Sequence, residues 1–276
     1  MNTVFIRQDS REEAEAFLTR IFALLLFAIW VVRLFQHLGL SQMGALEGTE
    51  VYADRVFWLL DYLGIIQAVL HFPPLSLGID LLLLLLPLSM LRYPLLPILA
   101  WAYLPIISLY MIAYNAAATH YEHTLVGVIA ISFLLCFKEG AKFSIALQAI
   151  RYYACFIMAS AALWKIFRGS LWHERQIESI LKLQHSDLLI YSEPGLYSQW
   201  IHFLIANPTF ATLLWWAATL LELVFFIGFF TKKFDAGLFI AFWLFILADF
   251  FVMGLHFWEL GILTVLFLRR WTKFFD

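Results

Sequence analysis

Long apolar runs, broken by short polar clusters, dominate the chain. A helix needs about 20 mostly apolar residues to cross the hydrocarbon core of a bilayer. Eight stretches meet or approach that pattern: 17–40, 74–91, 95–114, 121–137, 145–167, 208–230, 236–253 and 257–269. The pattern predicts an all-α, polytopic membrane bundle of eight transmembrane helices. The last two stretches lie close together, and 257–269 is short for a full crossing. Between 56 and 72 (VFWLLDYLGIIQAVLHF) apolar residues recur at helical spacing, but Asp61 and His71 interrupt them and Pro73-Pro74 follows. Such a segment suits a helix lying in the membrane interface.

The polar clusters supply an orientation. With a cytoplasmic N-terminus, eleven of the 18 Lys and Arg residues fall on the cytoplasmic side and four on the other, leaving Arg33, Arg151 and Lys165 inside spans. Cytoplasmic loops carry the excess of positive charge, so both termini are expected in the cytoplasm. The polar stretch 1–16 is too long for a signal n-region and no small-residue cleavage pattern follows it, so the first span is expected to be a retained anchor. The longest polar interval, 168–207, then lies outside. It holds a helix-like segment (HERQIESILKLQHSDLLI), a turn at Glu193-Pro194-Gly195 and an apolar-aromatic stretch (LYSQWIHFLI). A loop of that length with its own periodicity reads as a lid or cap. Residues 1–276 thus read as one transmembrane domain, placed in the inner membrane of a bacterium.

Composition agrees. The chain is 63% hydrophobic and 14% charged, against about 25% charged in soluble domains. A net charge of −2 without a basic stripe argues against a nucleic-acid partner. The two cysteines, Cys136 and Cys155, sit in apolar runs and form no zinc or redox motif, and no metal site is expected. No nucleophile elbow, zinc-protease helix or phosphate loop is present.

Function therefore has to be sought in ionisable groups at membrane depth, which are costly and mark functional sites. Lys165 lies in MASAALWKIFRGSLW, beside small residues that leave room for a ligand. It either snorkels to the nearby interface or faces a cavity as a general base. Arg151, Met158 and Lys165 recur every seven residues on one face, placing Arg151 about 21 Å from Lys165. His120 and His123 share a face at the start of the fourth span; they read as an interfacial loop or as a proton relay. Glu222 lies mid-span, where pairing with an internal cation such as Arg33 or Arg151 is expected. Asp249 and His256 share a face if their helix is continuous, with Glu259 in the same turn as His256. Arg33 and His37 are similarly spaced in the first span.

RYYACFIMASAALWKIFRGSLW resembles the pattern of the horizontally transferred transmembrane proteins and of their relative, the vitamin K-dependent γ-carboxylase. Tyr152 and Tyr153, Ala159-Ser160, Lys165-Ile166 and Trp172 fill the motif's places. YEHTLVGVIAISFLL is similar to the family's histidine-led helix and points to His123. LLELVFFIGFFTKKFDAGLFIAFWLF is similar to its span with a central Glu and a basic turn. In this chain Ser and Ala stand where the family has glycine before the lysine, and Asp249 stands where a histidine is usual.

The resemblance implies a quinone-like cofactor (vitamin K-like), with Lys165 as the base acting on a quinol and His123 and His120 as partners. Glu222, Asp249, His256, Arg151 and Trp172 would be binding or structural residues. The carboxylases carry a large extracytoplasmic domain after the membrane part, whereas these residues end at Asp276; quinol-linked chemistry is therefore expected rather than protein carboxylation. The competing readings are a non-catalytic subunit of a larger membrane complex and a small-solute or proton-coupled carrier. Expected partners are the lipid bilayer, other membrane subunits or a small apolar ligand.

Overall fold

The computed structural model describes residues 2–43, 55–117, 125–138, 140–173, 175–191 and 195–268. All regular structure among them is helical. Six helices are long and apolar enough to cross a membrane: Glu12–Phe35, Pro73–Arg92, Pro97–Tyr114, Ala141–Phe167, Pro208–Phe230 and Asp235–Met253. This is the architecture of an integral membrane protein, with apolar helix faces suited to lipid.

The other two long apolar stretches behave differently. Over 121–137 the described helix is α6 (Val126–Leu134), and over 257–269 it is a 3-10 helix (Trp258–Phe267). At about 1.5 and 2.0 Å per residue these described helices account for roughly 14 and 20 Å of the ~30 Å core.

The chain divides into two compact units, the first comprising 1–150, 258–266 and 270–276, the second 151–257 and 267–269. In the first, α1 (Asn2–Phe35) packs on α4 (Pro73–Arg92), and α4 on α5 (Pro97–Ala117). The helix of α1 begins well before its apolar run, absorbing the stretch expected to be a polar tail. It stops at Phe35; His37 then takes a left-handed backbone (φ 58). Arg33 and His37 accordingly do not share a helical face. Asp80, only 2% exposed, holds the following turn by accepting from Leu40 N (3.0 Å), Ser41 N (2.9 Å) and Ser41 Oγ (2.6 Å). A buried carboxylate is tolerable when so fully bonded.

The interfacial helix expected over 56–72 is two short helices, α2 (Arg55–Tyr62) and α3 (Ile65–His71). Gly64 (φ 74) separates them, a conformation that costs glycine least. Pro73 and Pro74 then open α4, where missing N–H groups do no harm.

The second unit holds the rest of α7 (Gly140–Phe167) from Arg151 onward, the helices of the long loop, and α11 (Pro208–Val224), α12 (Ile227–Phe230) and α13 (Asp235–Met253). The loop folds as α8 (Gln176–Gln184), α9 (Ser186–Tyr191) and α10 (Leu196–Ala206), so the single helix expected from HERQIESILKLQHSDLLI breaks at His185. Ile177, Leu181, Ile201, Leu204 and Ala211 bury one another, with Trp215, Val252 and Met253 packed against them. The loop helices are thus anchored on α11 and on the end of α13. That end is fixed by Gly254 (φ 66), where an added Cβ would lie 2.8 Å from the Tyr197 hydroxyl.

Candidate functional site

Two ion pairs in the second unit both start from α7. Towards the middle of α7 Arg151 meets Asp235, the first residue of α13. Arg151 Nε donates to Asp235 Oδ2 (3.0 Å) and Nη2 to Oδ1, while Nη1 donates to Gly228 O (2.9 Å) and Nη2 to Thr231 O (3.3 Å). Both side chains are buried. The guanidinium fork matches the carboxylate in a bidentate pair and spends its remaining donors on the α12 turn. Such closure is what a structural clamp requires.

Near the end of α7 lies Lys165. Its Nζ donates to Glu222 Oε1 at 2.7 Å and stands 4.4 Å from the centroid of the Trp215 ring, a cation–π arrangement. Glu222 is 1% exposed, and the Lys165 side chain 17%. The stem reaches inward to a carboxylate, so Lys165 does not snorkel. Asp249, half-buried on α13, lies within the field of both charges.

This centre is incompletely satisfied. Glu222 Oε2 and Trp215 Nε1 are buried and have no hydrogen-bond partner among the described residues. Trp215 and Glu222 are seven residues apart on α11, hence on one face, and both flank the ammonium. A buried acceptor and a buried donor therefore remain open beside one cation, and an unmade bond of this kind costs about 1–3 kcal/mol. The arrangement can take up a group that both donates and accepts a hydrogen bond, and can exchange a proton with it.

The end of α13, four residues past Asp249, is held by the loop helices. Trp200 Nε1 donates to Phe251 O (2.9 Å), and His185 Nε2 lies 3.4 Å from Val252 O. Burial pushes the His185 imidazole below its ordinary range and the Tyr197 phenol above it. Trp216 Nε1 donates to Leu171 O at 3.0 Å, tying α11 to the turn after α7.

The structure redistributes the pairings expected from sequence. Glu222 is paired with Lys165, not with Arg33 or Arg151. Arg33, 1% exposed, pairs with Glu259 and donates through Nε to Tyr110 Oη at 3.0 Å; its carbon Cζ lies 4.4 Å from the Tyr114 ring centroid. His256 is exposed beyond the Gly254 break, against Phe250, so it does not extend a helical face from Asp249. Trp172 is 72% exposed. His120 and His123 lie outside the described residues.

Four buried or partly buried residues escaped the sequence pattern. Asp235 follows Lys232-Lys233 and resembles a solvated turn charge. Trp215 is one of many aromatics. Glu15 and Thr19 are buried on one face of α1, where Thr19 Oγ1 receives Lys138 Nζ at 2.6 Å. Burial pushes that amine down to about 8, against the pull of Glu15. The i,i+4 spacing of Glu15 and Thr19 was the available signal. Among the described residues no three metal-ligating side chains gather.

No family model matches the chain, and no curated protein or solved structure matches it.

Proposed function

We propose that this integral membrane protein, of the horizontally transferred transmembrane type, binds a quinone-like or other amphiphilic ligand at the Lys165–Glu222–Asp249 centre and exchanges a proton with it. The observation that carries the reading is the open Glu222 Oε2 beside the Lys165 ammonium. A ligand hydroxyl placed there gives its proton to the Lys165–Glu222 pair, leaving a carboxylic acid and an ammonium, and the ligand oxyanion rests against that ammonium. Glu222 is then the proton acceptor and Lys165, in place of the general base expected from the sequence, the cation that holds the oxyanion, with Asp249 the next proton holder. The helices α8–α10 act as the lid, and His120 and His123 serve as polar partners.

The same reading takes 121–137 and 257–269 as completing eight crossings and 56–72 as interfacial, with both termini cytoplasmic. The distribution of Lys and Arg supports it. Single-cysteine labelling at Ser170 and Thr231 checks the topology: Ser170→Cys reacts with an impermeant thiol reagent from outside and Thr231→Cys does not. For the site, the purified protein is expected to carry a lipid-soluble ring compound detectable by extraction and mass spectrometry. Retention of that compound in both Lys165→Ala and Lys165→Arg would sink the role of Lys165. Obligate co-purifying subunits without any ligand would favour the subunit reading.

A further inference from the structure

The two open atoms and the charge of the site say more about the ligand than its polarity. The inference rests on the ligand-site reading above. Glu222 Oε2 can only accept, because an ionised carboxylate carries no hydrogen. Trp215 Nε1 can only donate. The Lys165 ammonium is already bound by Glu222 Oε1 and faced by the Trp215 ring. Asp249 adds a second carboxyl group to the one cation. Whether or not Asp249 holds its proton, the three groups sum to zero or to a negative charge. An anionic headgroup thus finds no net positive field and meets a carboxylate oxygen that it cannot hydrogen-bond. Burying such a charge unpaired is costly.

We infer that the site selects a neutral, hydroxyl-bearing amphiphile over an anionic lipid, with the ligand hydroxyl on Glu222 Oε2 and a second ligand oxygen on the Trp215 indole N–H. Trp215 is then a specificity-determining residue. Its ring holds the ammonium, and its N–H reads the ligand. The Trp215→Phe substitution keeps an aromatic face for Lys165 and deletes only the donor, which separates the two roles.

Three probes with one tail test this: 4-decyloxyphenol, which donates and accepts; its methyl ether, 1-decyloxy-4-methoxybenzene, which only accepts; and 4-decyloxybenzoate, which is anionic. Binding to the full chain in nanodiscs is measured against empty nanodiscs. The phenol is expected to bind about tenfold more tightly than the methyl ether, the worth of one buried hydrogen bond, and the benzoate more weakly than either. Trp215→Phe should weaken phenol and methyl ether by a similar factor, while Glu222→Gln should narrow the gap between them.

If none of the three binds, the ligand-site reading itself falls. If the phenol binds no better than its methyl ether, or the benzoate binds best, the site stands and this inference is overturned. Unchanged affinities in a folded Trp215→Phe remove the role of Trp215. Should that variant not fold, the wild-type probe series still decides the rest.

Discussion

Arg151–Asp235 and Lys165–Glu222 are ion pairs of the same helix, α7, yet they are built to opposite specifications. In the first, both carboxylate oxygens accept from the guanidinium, and the remaining donors reach the carbonyls of Gly228 and Thr231. In the second, one carboxylate oxygen and the neighbouring indole N–H are left open. Arginine suits the first because its fork is planar and fixed; lysine suits the second because a single ammonium can hold one oxygen and leave its twin available. Burial and charge do not distinguish a clamp from a site here. Satisfaction does.

The largest effect expected from breaking this contrast is at the clamp. Asp235→Ala leaves a buried guanidinium without its partner and should cost about 3–5 kcal/mol, seen as a steep fall in thermal stability in detergent or as loss of the folded protein. Gly228→Ala tests the same clamp indirectly, since the new Cβ would lie 2.5 Å from Cys155 Sγ and 3.0 Å from Leu238 Cδ1. Overpacking of this kind costs about 1–3 kcal/mol; adding Cys155→Ala should recover most of the lost melting temperature.

At the open pair, Lys165→Met should cost less than Asp235→Ala, because the isolated carboxyl can take a proton instead of remaining charged. Loss of bound ligand, read by extraction and mass spectrometry, should be its main effect. A stability loss equal to that of Asp235→Ala would make the second pair a clamp as well.

The smallest effect concerns pH. Burial holds the folded-state affinity of His185 for protons below its ordinary value, so the unfolded chain binds more protons as the pH falls through about 6.5. Wild-type stability should therefore decline on acidification in that range. His185→Gln should flatten that part of the profile, as followed by melting temperature between pH 5 and pH 8.

Much of the bundle was legible in the sequence, because hydrocarbon imposes a length and a composition on any helix that crosses it. The runs at 74–91, 95–114, 145–167, 208–230 and 236–253 fall on helices with nearly those bounds. Lys165 and Glu222 were legible one by one, since an ionisable residue in an apolar run stands out. Their partnership was not. Glu222 can reach any cation that a neighbouring helix presents, and a single sequence carries no record of which helices touch. Breaks decided by one residue were also hidden: the 56–72 segment divides at Gly64 and the loop helix at His185, though the apolar spacing runs through both.

What the sequence determined on its own is the solvent of this protein, since 63% hydrophobic residues in long runs have no stable arrangement in water. It also determined which few charges must find partners. Only the tertiary structure decided that Asp235 closes on Arg151 while Glu222 meets Lys165 with one oxygen to spare. The physical reason is that hydrogen-bond satisfaction is a property of side chains brought together from distant helices, and periodicity along one chain does not encode it.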